Sequence, residues 1–347
     1  PPLAPFPAEW GKITTILVDQ IPSGRLWTGH QGGWIVGWQL IEDAPTLTIR
    51  FERSWVAHEG AVRSIRVDDL EPRGEKIDHL TPSLISVGAD GTWAGWTRLG
   101  RSRWRRRAPE MRINQITDDG VGGWLIAADR GVIARFKENR RLWRGAGEHQ
   151  RAAFAIIKSP APEGSVPSTA VSVGSDGWLR RWSIDSGAPL GAQRAHQGWA
   201  TTLRKLDWGD GSVWLTGGSD GWLRVWPIDF GGSENQHLTS ALFQVRAHSK
   251  NIIALTHSKK WVVSGGEDGR VKVYRRSPNA MTDLREPTPL KGLGAPILCL
   301  SLHRDLLLVG GGSSESGVGE FSLWYTDLSL DEPLRRLKMI VPPTSKP

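Results

Sequence analysis

Short apolar runs ending in glycine turns recur along the chain. SVWLTGG (212–218), WVVSGG (261–266) and LISVGAD (84–90) are strand-length, and each leads through a turn into a second run carrying an aromatic residue. Glycine and Asp-Gly supply the positive φ of a tight hairpin turn, and the flanking runs supply its paired strands. An aromatic residue stands five positions after the turn glycine at Gly33/Trp38, Gly91/Trp96, Gly131/Phe136, Gly177/Trp182, Gly221/Trp226, Gly269/Tyr274 and Gly319/Trp324. Successive units are 58, 40, 46, 44, 48 and 50 residues apart. A further apolar run precedes the hairpin, as in AAFAIIK (152–158) or NIIALTH (251–257), and an extended run follows it, as in TLTIRFERSWV (46–56). No helical periodicity of useful length interrupts this rhythm.

Four strands per unit and seven units predict an all-β, seven-bladed β-propeller of four-stranded antiparallel blades. The blades fall over 11–57, 58–109, 110–147, 148–195, 196–247, 248–292 and 293–341 of a single domain. The N-terminal PPLAPFPAEW is too rich in proline for a good strand. LRRLKMIV (334–341) is expected to add the fourth strand of the last blade, leaving the ring to close by side-chain packing. Residues 1–10 and 342–347 read as linker-like, proline-rich ends of a segment from a longer protein.

The repeat resembles the WD40 family over about residues 11–341. In that family a histidine before the first strand, a Ser or Thr on the second, an Asp in the turn and a Trp on the third form a hydrogen-bonded tetrad. The resemblance implies four such sets: His58, Ser86, Asp90 and Trp96; His149, Ser172, Asp176 and Trp182; His196, Thr216, Asp220 and Trp226; and His248, Ser264 and Asp268 with Tyr274 in the tryptophan's place. Blades one, three and seven lack the set, their turns reading GHQGGW, AADRGV and GGGSSESGVGE. Arg180, Arg224 and Lys272 match a basic residue common in the family. The resemblance further implies a non-catalytic scaffold or sensor region that binds a protein partner, or an adjacent domain of its own chain, through the propeller rim.

Serine, histidine and aspartate recurring together also invite a hydrolase reading. A nucleophilic triad is one constellation beside one oxyanion hole, whereas the same trio four times over suits a structural fastener. No catalytic residue is assigned, and an enzyme would need a site at the central channel for which the sequence offers no unique constellation. The four repeat histidines belong to different blades, too far apart to share an ion. Cys299 is the single cysteine, so neither an intramolecular disulfide nor a cysteine-based zinc site is available, which fits a reducing, cytoplasmic setting. No metal or cofactor is expected. GGGSSESGVGE (310–320) follows a strand as a P-loop would, yet it leads into EFSLWYT without Gly-Lys-Ser/Thr and reads as a long hairpin loop. No apolar stretch approaches the roughly 20 residues that span a bilayer.

Charge and aromatic content sharpen the picture. Lys and Arg total 44 against 36 Asp and Glu, a net charge of +8. The densest cluster, RLGRSRWRRRAPEMR (98–112), holds Arg103, Arg105, Arg106 and Arg107. On an outer strand these guard an exposed edge; alternatively they face an acidic partner, nucleic acid included, with Trp104 stacking on a base. The basic groups fall on outer strands of different blades rather than in one groove, which favours edge protection. Among 19 tryptophans, those directly after the turn glycine depart from the family's habit of a small polar residue there: Trp34, Trp178 and Trp222, with Trp93 one place along. Such rings either fill the space between blades or anchor a partner at the rim. Both readings stand at this point.

Overall fold

A computed structural model of the chain describes residues 6–18, 24–43, 46–67, 84–108, 111–137, 140–145, 149–160, 168–208, 211–230, 240–276, 284–290, 293–303, 306–312, 319–325 and 338–340. The first sheet holds β1 (Ile13–Val18), β2 (Arg25–His30), β3 (Trp34–Asp43) and β4 (Thr46–Val56). The second holds β5 (Val62–Val67), β6 (Leu84–Gly88), β7 (Thr92–Trp96) and β8 (Ser102–Arg107). The third is β9 (Ile113–Asp118), β10 (Gly123–Ala128), β11 (Ile133–Lys137) and β12 (Arg140–Arg144), and the fourth β13 (Ala153–Lys158), β14 (Thr169–Gly174), β15 (Trp178–Ser183) and β16 (Pro189–Arg194). The fifth is β17 (Ala200–Trp208), β18 (Gly211–Gly218), β19 (Trp222–Pro227) and β20 (Phe243–Arg246), and the sixth β21 (Ile252–His257), β22 (Trp261–Gly266), β23 (Val271–Arg276) and β24 (Leu284–Leu290). The seventh has three strands among the described residues, β25 (Ile297–His303), β26 (Leu306–Gly312) and β27 (Gly319–Tyr325).

Within each sheet, consecutive strands pair antiparallel, as hairpins with short connections favour. Among the described residues six sheets have the four antiparallel strands of a full blade, so the expectation of seven such blades is corrected to six. Residues 338–340 form β28 (Lys338–Ile340), which pairs parallel with β4, Lys338 opposite Thr48 and Ile340 opposite Arg50. The eleven-residue β4 offers a long open edge, and the C-terminal segment extends the first sheet rather than completing the seventh. β26 and β27 pair from Leu306–Tyr325 to Gly312–Gly319, as a hairpin should, while 313–318 of the glycine-rich loop lie outside the described residues, as do 342–347.

The first strand of every sheet carries one bulge near its start, skipping residues 14, 63, 114, 154, 201, 253 and 298 in the pairing register. A bulge adds local twist and re-aims one side chain, here always at the same place in the repeat.

The chain falls into two compact units, residues 1–107 with 292–347, and residues 108–291. Second strands such as β6, β10 and β26 are buried at every position, so both of their faces are covered. The cores accordingly lie between sheets. In the first unit, Trp27 and Ile35 pack with Val62, Leu84 and Trp96 of the second sheet, and Ile13, Leu26 and Trp38 share a cluster with Cys299, Leu306 and Leu308 of the seventh. That side-chain packing joins the first and last sheets as expected, with β28 added. Residues 6–10 are no linker: Phe6 and Trp10 are 6% and 3% exposed and lie against Trp38 and His30, because burying two aromatic rings outweighs the poor strand propensity of their prolines. In the second unit, clusters join the third sheet to the fourth, the fourth to the fifth and the fifth to the sixth.

Sheet spacing is also set by a backbone contact. The carbonyl of turn residue Gly177 accepts from the N–H groups of Ala195 and His196, and Gly33 and Gly221 do the same for Ala57–His58 and Ala247–His248. At Gly177, φ is +80° and an added Cβ would lie 2.4 Å from the His196 carbonyl oxygen and 2.3 Å from that of Gly198. Both the conformation and the close approach demand glycine. Gly177→Ala is expected to cost about 3 kcal/mol in denaturant unfolding. A loss below about 0.5 kcal/mol would show that this turn does not constrain the stacking.

Candidate functional site

Each tetrad is a one-way chain of hydrogen bonds built on a buried hydroxyl. In the fourth sheet, Trp182 Nε1 donates to Ser172 Oγ at 2.8 Å, Ser172 Oγ lies 2.8 Å from His149 Nε2, and His149 Nδ1 lies 2.7 Å from Asp176 Oδ1. Burial lowers the histidine's pKa despite the attraction of Asp176. The ring is therefore neutral, with Nδ1–H donating to the carboxylate and Nε2 accepting the serine proton. Asp176 closes the chain: burial pushes its pKa up, but bonds from His149, Arg180 and the Trp178 amide prevail and hold it at about 2. The fifth sheet repeats the pattern with Trp226, Thr216, His196 and Asp220 at 2.9 Å per step. In the sixth, His248 bridges Ser264 at 2.8 Å and Asp268 at 2.9 Å, and Tyr274 fills the tryptophan's position, its pKa pushed up by burial to about 12.

The second sheet adds a member that sequence reasoning missed. Trp96 Nε1 donates to Ser86 Oγ, 2.7 Å from His58 Nε2, but His58 Nδ1 lies 2.7 Å from Thr92 Oγ1, which in turn donates to Asp90. Thr92 occupies the position after the turn glycine that tryptophan holds in the fourth and fifth sheets. Trp93, one place along, consequently points to the opposite face of the strand and is 3% exposed. It is corrected from a rim contact to a core residue.

A further chain appears in the first sheet, where none was expected. Trp38 Nε1 donates to Thr28 Oγ1 at 3.0 Å, Thr28 lies 2.9 Å from His30 Nε2, and His30 Nδ1 reaches the Gly11 carbonyl at 3.5 Å. This histidine comes from β2 itself, two residues after the threonine, so a search for a histidine ahead of the first strand passes over it. Burial lowers its pKa to about 4. The third sheet has Ile126 at the hydroxyl's register position, two residues along β10 from Trp124, whose hairpin partner Phe136 has no N–H to satisfy. Its polar fastener is Asp119, which accepts from Arg135 Nε at 2.7 Å and from the Val121 and Gly123 amides.

The hydroxyls of Ser86, Ser172, Thr216 and Ser264 belong to residues of 0% exposure, and each engages a histidine. Their geometry suits holding two strands and a leading loop together. Among the described residues, no cluster of three His, Cys, Asp or Glu side chains is placed to hold a metal ion.

The turn ends of the sheets carry the exposed chemistry. Trp34, Trp178 and Trp222 are half-buried. Trp34 lies 6.5 Å from Trp10, centroid to centroid, whereas Trp178 and Trp222 each carry a guanidinium over the ring, Arg180 at 5.7 Å and Arg224 at 5.3 Å. The same arginines donate to Asp176 and Asp220 at 2.8 Å, so they tie the tetrad to the surface indole. On β8, Arg103, Arg105 and Arg107 are exposed. Arg105 also donates to the Ala57 carbonyl at 2.6 Å, and Arg106 lies 4.6 Å over Trp104. These arginines cover an outer edge, and Trp104 packs over Gly95 rather than standing free.

Two measurements check the fasteners. Ser172→Ala removes the acceptor for Trp182 and the partner of His149, and is expected to lower unfolding free energy by about 1–3 kcal/mol. The pH dependence follows from the lowered pKa values of His30, His149, His196, His248 and Asp176. The folded chain binds fewer protons than the unfolded one below the ordinary histidine value of 6.5. Stability is thus full above pH 6.5 and falls as pH drops toward 4, His30 alone contributing on the order of 3 kcal/mol. A melting temperature unchanged between pH 7.5 and 4.5 would contradict the buried neutral histidines.

The geometry agrees with what the chain is similar to. The WD40 family model, described as WD domain, G-beta repeat, matches residues 187–227 and 239–275. Each matched segment runs from the last strand of one sheet through the third strand of the next, so the sequence repeat is offset from the sheet by one strand. No curated protein matches the chain. Among solved structures 1534 chains match. One is a crystal structure of the computationally designed Ika8 protein, with a TM-score of 0.60 at 19% identity over 93% of this chain and 98% of that one. At that identity the likeness concerns the fold alone. The two matched segments each lie on a sheet carrying the His-Ser/Thr-Asp set, so residues 187–227 and 239–275 are WD40 repeats.

Proposed function

We propose that the chain is an interaction platform that binds a protein partner, or an adjacent domain of its own polypeptide, through the turn ends of its blades. The observation that carries this reading is the set of half-buried tryptophans directly after the turn glycine, Trp34, Trp178 and Trp222, two of them under an arginine. An indole with a fixed backbone and a cation over one face presents large apolar area at little entropic cost, the character of an interface anchor. The chain, in this reading, acts in the cytoplasm, where the free Cys299 stays reduced.

The test replaces Trp34, Trp178 and Trp222 by alanine, singly and together, and compares thermal melts with the proteins retained from an extract of the native host. The triple variant is expected to stay folded and to lose the proteins that the wild type retains. Lower melting temperature with unchanged retention would assign the three rings to filling between blades and overturn the proposal.

A further inference from the structure

Trp199 is the large aromatic side chain that the repeat does not explain. Three residues after His58, His149 and His248 stand Ala61, Ala152 and Asn251, and three after His196 stands Trp199. The backbone is locked alike in all four, each carbonyl accepting from the turn that follows β6, β14, β18 or β22. At Ala152 and Trp199 the lock is double, their amides also donating to Ser175 Oγ at 2.8 Å and Ser219 Oγ at 2.7 Å. Trp199 nevertheless leaves 45% of its surface exposed. Phe154, the bulge residue of β13, lies 6.0 Å away, centroid to centroid, and is itself half-buried. The bulge aims that ring at the same spot.

Two arginines stand in the segments that lead to this pair. Arg194 donates from Nε to the His196 carbonyl at 3.0 Å and from a terminal nitrogen to the Gln197 carbonyl at 3.1 Å, two residues from Trp199. It has no carboxylate within salt-bridge distance among the described residues, and Arg151, exposed beside Ala152, has none either. The nearby carboxylates of Asp176 and Asp220 are already engaged by His149, His196, Arg180 and Arg224. A guanidinium held by the carbonyls of His196 and Gln197, in the loop that leads to an exposed indole, complements a carboxylate next to an apolar side chain. A nucleic acid would call for a track of cations at phosphate spacing, which this small patch does not offer.

We propose that Trp199, Phe154 and Arg194 form the docking point for an acidic protein segment, an aromatic or aliphatic side chain seating on the two rings and a neighbouring carboxylate pairing with Arg194. This rests on the protein-binding reading above and names the class of partner. The probe is a fluorescein-labelled copolymer of glutamate and tyrosine, followed by anisotropy, with a lysine–tyrosine copolymer and an oligothymidylate as comparisons. The glutamate–tyrosine copolymer is expected to bind in preference to both. Trp199→Ala and Arg194→Gln are each expected to weaken it by about tenfold or more, while the outer-edge variant Arg103→Gln changes it less than about twofold. Thermal melts accompany each variant, and Arg194, being exposed, is the one whose folding is least at risk.

Wild-type affinity in both variants, no binding of the acidic copolymer, or tighter binding of oligothymidylate overturns the proposal. Should binding survive these variants yet vanish with Trp178→Ala and Trp222→Ala, the docking point is wrong while the rim reading stands. If neither set affects binding, both fall.

Discussion

A buried indole N–H is stabilised by an acceptor, and four of the sheets are organised by that gain, although Trp27 Nε1 and Trp55 Nε1 are buried without one among the described residues. Leaving such a donor unpaired in a dry interior costs about 1–3 kcal/mol. Trp38, Trp96, Trp182 and Trp226 each stand on the third strand of a sheet, packed against a neighbouring sheet, and each donates to a hydroxyl two residues along the second strand. The hydroxyl then needs an outlet for its own proton, which a neutral histidine accepts. The histidine needs one in turn, found at an aspartate, a threonine or a main-chain carbonyl. Where the aromatic is Phe136 the hydroxyl position is Ile126, so the polar chain is absent where nothing requires it.

This dependence explains how much of the fold could be read from residues alone. Turn glycines and the aromatic five places on mark the hairpins, because both are demanded locally. Four polar chains were legible since their members keep constant places in the repeat. His30 escaped notice because the same bonds can be made from the strand as well as from the loop before it. Thr92 escaped because the position after the glycine read as surface. Phe6 and Trp10 were hidden by their prolines, which spoil a strand without preventing aromatic burial. The pairing of residues 338–340 with 48–50 is long-range, and no local signal chooses between the open edges available to so short a strand.

The candidate site was less legible than the fold. Among the tryptophans near the turns, burial sorts Trp93 from Trp178 and Trp222, and that sorting is the two-residue periodicity of a strand shifted by one place. Arg180 and Arg224, which look like routine repeat residues, link the buried carboxylates to the surface rings. The surface rings are thus attached directly to the fasteners, and a substitution at the surface is felt by the polar chain beneath it.

The parallel pairing of β28 with β4 has a bearing on how the chain reaches its structure. Together with the packing of the seventh sheet on the first, it makes the first unit discontinuous, with its parts on either side of residues 108–291. The second unit is built from neighbouring hairpins and has all of its residues as soon as position 291 leaves the ribosome. The first cannot be finished until the last strand arrives, and closing so long a span gains little until both ends are in place. Synthesis therefore imposes an order: residues 108–291 are complete first, and the unit built from the segments on either side is completed after them.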